Sequence, residues 1–255
     1  IVRITEAEAP KIDGRLDDAA WQKAVKIDEL SQFLPNEGAP ASVPTEFYVM
    51  YDKDAIYIGA RLSEPDPTKF TASMLRQGQR LFNEDRIAVI LDTFNDKRNG
   101  YRFEVNPNGI RDDALYLDTT QTQWDWEGIF DAEAVIEELG WTAEMAIPFK
   151  TLSFGTDSST WGINFTRFNA RRNEGNGWVY GNRAQNPGVS GTVNGLEGMD
   201  QGLGLDVVPS ISFRENKDFV ADTTEYTVEP SIDAYYRVTP GLNASITLNT
   251  DFSAT

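Results

Sequence analysis

The dominant period of the sequence is two, and that limits the fold more than anything else in it. In "TEFYVMYDKDAIYIGARLSE" apolar and polar side chains alternate on both sides of Asp52-Lys53-Asp54, the pattern of a hairpin with one buried face. Tyr48, Met50 and Tyr51 precede that turn as the apolar set, and Ile56, Ile58 and Ala60 follow it. "DRIAVILDTF" and "YRFEVNPNG" repeat the pattern around a polar turn, and "DAEAVIEELGWTAEMAIPF" repeats it around Glu138-Leu139-Gly140. "STWGINFTRFNARR" adds a strand with Trp161, Ile163, Phe165 and Phe168 as its apolar side. Many short strands separated by turn residues imply an all-β chain, a jelly-roll β-sandwich. Only 15–24 and 67–80 read as helical, with Asp17 as the cap of the first and Trp21 dropping from it onto a core.

Past Leu205 the alternation lengthens. Tyr226, Val228, Pro230, Ile232, Ala234, Tyr236 and Val238 share one face, with Thr227, Glu229, Ser231, Asp233, Tyr235 and Arg237 on the other. After Thr239-Pro240-Gly241, Leu242, Ala244, Ile246 and Leu248 continue the apolar face. Dyad strands of roughly 10 residues with a wholly apolar face suit a transmembrane β-barrel. An amphipathic hairpin that completes a soluble sandwich has the same pattern.

Charge and composition remove whole classes of function. The net charge of −17, with no run among the 23 basic residues, argues against a nucleic-acid partner. With no His and no Cys, zinc fingers, thiol nucleophiles, Ser-His-Asp triads and His-ligated metals are excluded. Hard cations on oxygen ligands remain, and acids concentrate at turns: Asp13, Asp52, Asp54, Asp66, Asp85, Asp92 and Asp96 are the candidate calcium ligands. Each is equally a turn or cap residue, and no EF-hand spacing occurs. Ile1 opens directly on a strand-like segment, so an exported protein is expected here in its mature form.

"IDGRLDDAAW", "VMYDKDAIYIGARL", "EDRIAVILDTFNDKRNGYRFEVNPNG", "GWTAEMAIPFKTL" and "WGINFTRFNARRNEGNGW" stand in an order that resembles the family 9 carbohydrate-binding module. The match is closest to the version at the N-terminus of bacterial outer-membrane proteins, where a β-barrel follows, and "RVTPGLNASITLNTDFSAT" is similar to the segment with which that barrel begins. The resemblance implies a module over 1–203, the start of an outer-membrane barrel over 204–255, structural calcium, and a place in the cell envelope, periplasmic or surface-exposed. It also implies sugar binding between two tryptophans, one of them near Trp178; where the second is expected this chain has "MLRQGQRLFN". In the first motif the Asp13-Gly14 turn and Trp21 are expected to staple the N-terminal segment across the sandwich.

A sugar needs a flat aromatic face for its C–H groups and planar polar side chains for its hydroxyls. The candidates are Trp178, Trp124, Trp126 and Tyr180 as platforms, with Phe82 as a substitute and Arg102 and Glu104 as polar partners. Trp124 and Trp126 in "QWDWEG" also suit a rim packed on another part of the chain. Arg171, Arg172 and Glu174 are either a clamp for an acidic sugar or phosphate, or an internal salt-bridge network. The functional expectation is glycan recognition at the envelope without catalysis. The alternatives are a structural or gating domain of the barrel with no sugar site, and a hydrolase-associated role in carbohydrate catabolism. The apolar face of residues 226–248 also predicts self-association when no barrel covers it.

Overall fold

The structure, a computed structural model of the 255-residue chain, describes residues 1–66, 70–155, 159–202, 204–218, 223–239 and 242–248. It divides into two compact units, Ile1–Asp200 and Gln201–Thr255. The first holds β1 (Val2–Arg3), β2 (Val25–Ile27), β3 (Ser31–Leu34), β4 (Thr45–Tyr51), β5 (Ala55–Ser63), β6 (Arg86–Asp92) and β7 (Gly100–Val105). It continues with β8 (Arg111–Tyr116), β9 (Thr122–Gln123), β10 (Asp131–Glu137), β11 (Gly140–Pro148), β12 (Thr160–Asn169), β13 (Glu174–Gly177) and β14 (Gly191–Asn194).

These strands form two sheets. One runs β1-β4-β5-β11-β10 with β2 also on β4, the other β3-β13-β12-β6-β7-β8-β9 with β14 also on β12. Alternate residues of both sheets meet in one core, where Phe47 of β4 and Phe165 of β12 lie 5.1 Å apart across the sandwich. The expected all-β sandwich is therefore the observed one, and the three expected hairpins appear as β4-β5, β6-β7 and β10-β11.

The facing of β4 differs from expectation. Phe47, Val49 and Tyr51 enter the core, whereas Met50 and Tyr48 belong to a second apolar cluster on the outer face with Trp21 and Ala20. Both faces of this sheet are covered, so alternation alone does not tell the inner set from the outer one. Phe168 likewise turns outward, under the guanidinium of Arg86 at 4.6 Å, and leaves the core to Trp161, Ile163 and Phe165.

The first helical stretch is a single 3-10 turn, Ala19–Gln22, preceded by Asp18 rather than capped by Asp17. Asp18 accepts the Lys11 N–H at 2.9 Å instead. The second expected helix is absent over 70–80, and 67–69 lie outside the described residues. Its amides are used elsewhere: Thr71 N–H donates to Asp85 at 2.8 Å, and Ser73 and Met74 N–H donate to Glu84 at 3.0 and 3.3 Å. Carboxylates that satisfy these donors hold the segment against the residues just before β6 and remove the incentive for a helix.

The N-terminal staple is as expected. Asp13 and Gly14 N–H both donate to one oxygen of Glu144 on β11 at 2.9 Å, and the Trp21 indole donates to its other oxygen at 2.7 Å. Gly14 sits at φ +82° with its α-carbon against the Ala134 backbone; a Cβ there would lie 2.9 Å from a carbonyl carbon, so only glycine fits.

The second unit is an antiparallel sheet of three strands rather than a hairpin: β15 (Leu205–Asp218), β16 (Thr223–Thr239) and β17 (Leu242–Leu248). The register pairs Leu205 with Tyr236, Val207 with Ala234 and Phe213 with Val228, and then Ala234 with Ile246. One face is therefore apolar from Leu205 to Phe213 and from Val228 to Tyr236, and its large side chains are exposed, from 44 % for Ile232 to 77 % for Phe213. The expected turn at 240–241 lies outside the described residues.

Candidate functional site

The outward face of the larger sheet carries a buried charged cluster. On β7 the spacing i, i+2 puts Arg102 and Glu104 on this face while Tyr101, Phe103 and Val105 fill the core. Each has one small cross-strand neighbour, Ala88 of β6 beside Glu104 and Ala114 of β8 beside Arg102, opposite the larger Asp112 and Ile90, and the alanines leave room for the two long side chains to lie together.

Arg102 donates to Glu104 Oε1 through Nε at 2.8 Å and also through Nη2. Arg86, from β6, donates to the same oxygen at 3.1 Å and through Nη1 to the carbonyls of Leu81, Phe82 and Glu84. Tyr116 OH accepts from Arg102 at 3.1 Å, and Gln185 Oε1 accepts from it at 3.0 Å. All three charged groups are at least nine-tenths buried, yet Glu104 Oε2 has no hydrogen-bond partner among the described residues. Burial alone would lower the pKa of the Arg102 guanidinium, but Glu104 and Tyr116 raise it on balance; Arg86, more weakly compensated, is held below its ordinary range by burial.

An aromatic rim stands beside this cluster. Phe82 meets Trp124 edge to face at 4.9 Å, Arg80 lies over the Trp124 ring at 5.3 Å, and Arg80 pairs with the buried Asp112. Burial and the neighbouring Glu104 raise the Asp112 carboxyl, and burial, with Asp112 and Glu127 close by, pushes Asp113 up to about 6.

The structure separates the four aromatic platforms. Trp124 is half-buried at the rim, whereas Trp126 packs toward the core, 5.3 Å from Tyr101 and 6.0 Å from Phe103. Trp178 follows β13 on the core side, half-buried, 6.1 Å from Phe165 and pressed on Gly191. Expected as an open platform, it closes the edge of the core; one position along an extended chain reverses the face a side chain takes. Tyr180 is exposed and lies over Gly38. Trp124 and Trp178 thus lie toward opposite edges of the sheet and do not face each other across a common space.

Sequence reasoning named Arg102, Glu104, Trp124 and Phe82 but missed Arg86, Tyr116 and Gln185. Alanines amid the bulky strands "RIAVILD" and "DDALYL" were the available signal of space beside β7. Arg171 is exposed, Arg172 pairs with the buried Glu64 at 3.3 Å and Glu174 accepts the Ser42 N–H at 2.9 Å, so the arginine cluster ties strands together rather than forming a clamp.

The candidate calcium ligands are dispersed. Asp52 accepts from Asp54 N–H, Ala55 N–H and Tyr57 OH; Asp92 accepts from Asp96 and Lys97 N–H; Asp96 accepts from Arg98 and Asn99 N–H. Asp85 holds Thr71, Asp13 pairs with Lys11 at 3.1 Å, and the Asp66 N–H donates to Glu64. Among the described residues no three acidic side chains gather in one group. In this structure these residues serve turns, caps and ion pairs.

The profile of the carbohydrate family 9 binding domain-like family matches residues 12–194, which takes in the staple, both sheets and the charged cluster. Among solved structures, a family 9 carbohydrate-binding module from Caldicellulosiruptor kristjanssonii in complex with cellotriose is 20% identical at a TM-score of 0.54, covering 78% of this chain and 94% of its own. A module of the same family and organism in complex with glucose is 20% identical at a TM-score of 0.51, with coverages of 75% and 94%. A protein from Bacteroides uniformis ATCC 8492 is 14% identical at a TM-score of 0.60, with coverages of 76% and 96%. At these identities the likeness is one of fold. No curated protein matches the chain. The family match spans well over half the sequence, and the chain belongs to the carbohydrate family 9 binding domain-like family.

Proposed function

We propose that residues 1–203 are a carbohydrate-binding module, a binding protein rather than an enzyme, and that the cluster of Arg86, Arg102, Glu104 and Tyr116 is its ligand site with Trp124 and Phe82 as the stacking rim. One observation carries this: Glu104 is held rigidly by two arginines through one oxygen, while the other, buried, lacks a donor. A buried carboxylate oxygen without a partner is costly, and a sugar hydroxyl is the donor that suits it. The related folds bound to cellotriose and glucose support the same ligand class. Calorimetric titration of the full chain with both saccharides tests the reading; saturable heat supports it, and no heat with either defeats it.

The same proposal places the module in the bacterial envelope, with residues 204–255 as the start of an outer-membrane barrel. The support is the apolar face of β15–β17, which runs from Leu205 to Phe213 and from Tyr226 to Tyr236, close to the roughly 9–11 residues a membrane strand needs. Aromatic side chains bound it at both ends, Phe213 and Tyr226 at one and Tyr236 at the other, as interfacial girdles do. Flotation of the chain with phospholipid vesicles, lost in Ile232→Lys, checks this; self-association in solution without flotation would assign the face to a second copy instead.

A second reading, a structural or gating domain without a sugar site, is favoured by one feature: the cluster is not open. Gln185, from the segment 178–190, lies on it and already occupies Arg102 and Tyr116.

A further inference from the structure

The segment 178–190 is a strap tied down along its length. Asn164 holds both ends, with its amide to the carbonyls of Val179 and Val189 at 2.9 and 2.8 Å and its oxygen to Val179 N–H at 3.0 Å. Lys97 Nζ donates to the Ser190 carbonyl at 2.8 Å, and Asn186 Nδ2 donates to Thr119 O at 3.0 Å. Between these ties Tyr116 OH donates to the Gln185 carbonyl, and the Gln185 side-chain oxygen accepts from Arg102. Non-glycine residues at positive φ, Asn182 at 51° and Arg183 at 54°, fall in the stretch just before Gln185. Trp178 at its start and the buried Pro187 are held by packing, while the stretch 180–186 between them, with its two residues at positive φ, is held by polar ties and is the part poised to release.

We infer that Gln185 is an internal stand-in for the ligand: its amide oxygen takes the place of a saccharide hydroxyl on Arg102, and the strap must lift for a sugar to bind. The inference rests on the saccharide reading of the cluster. The stand-in is incomplete, because it supplies an acceptor to Arg102 and no donor to Glu104 Oε2. A ligand that presents both, as two adjacent hydroxyls of one sugar ring do, satisfies the carboxylate as well and outcompetes the plug. Gln185 thereby sets both the affinity of the site and its demand for a vicinal diol.

The test is a calorimetric titration of the full chain with cellotriose, comparing wild type, Gln185→Ala and Asn186→Ala. Removing the plug gives up one hydrogen bond to a charged group, so Gln185→Ala is expected to bind roughly tenfold more tightly. Asn186→Ala loosens the strap from outside the cluster and is expected to tighten binding by a smaller factor, roughly threefold. Melting of each variant confirms folding, and amide exchange over 182–188 is expected to quicken in both. Equal affinity in all three proteins, or weaker binding by Gln185→Ala, overturns the plug and leaves the saccharide reading standing. No binding by any of them overturns both.

Discussion

Glu144 and Glu104 occupy matching places, each on the outward face of one sheet of the same sandwich and each almost wholly buried. Glu144 has both oxygens satisfied, by two main-chain amides and an indole that belong to the N-terminal segment. Glu104 has one oxygen crowded by two arginines and the other bare. Burial holds the Glu144 carboxyl above its ordinary range even so, which shows how much a buried carboxylate depends on its donors. A saturated carboxylate closes a fold, and an unsaturated one leaves a valence for something else.

Replacing each glutamate separates the two roles. Glu144→Ala strands two buried donors and a third partly buried one and is expected to cost about 3 kcal/mol in denaturant unfolding, with little change in saccharide affinity per folded molecule. If it costs under about 1 kcal/mol, the staple is not what closes this face. Glu104→Gln keeps the shape, removes the charge between the arginines and presents an amide where the bare oxygen was. Binding is expected to weaken at least tenfold, with a stability loss of about 2 kcal/mol, smaller than that of Glu144→Ala. Trp124→Ala removes the half-buried rim ring; affinity is expected to fall about fivefold, roughly 1 kcal/mol, with stability changed by less than that amount.

The remaining expected effect concerns pH. Asp113, raised by burial to about 6, binds a proton in the folded state at pH values where the unfolded chain has released it. Its contribution to stability is therefore complete below the ordinary aspartate range and is lost as pH rises toward and through about 6. Asp113→Asn is expected to flatten the change in melting temperature between those two limits; an unchanged slope would show that Asp113 titrates normally.

The same contrast explains what the sequence disclosed. The staple is local in character, a glycine turn with a tryptophan shortly after it, and its outline was legible; only its acceptor, Glu144, lies far along the chain. The hairpins were legible because their turns are short and their strands alternate. Arg102 and Glu104 were named as polar partners of a sugar, and their spacing of two on one strand puts them on a shared face. Arg86, Tyr116 and Gln185 were not, because they arrive from two other strands and a strap whose approach is set by long-range pairing. Trp178 was misplaced for a related reason: its type suits a sugar platform, but its register with Phe165 sends it to the core edge. The segment before β6 was mistaken for a helix because the carboxylates that hold it, Glu84 and Asp85, follow it by ten residues and more.

The most direct test of the central claim, that Glu104 Oε2 is the ligand's acceptor, is a high-resolution crystal structure of the chain with cellotriose. A ring hydroxyl about 2.7 Å from Oε2, with Gln185 turned away from Arg102, is the predicted result. A sugar seated on Trp178 or Tyr180, or a buried water on Oε2 with Gln185 still in place, would contradict it.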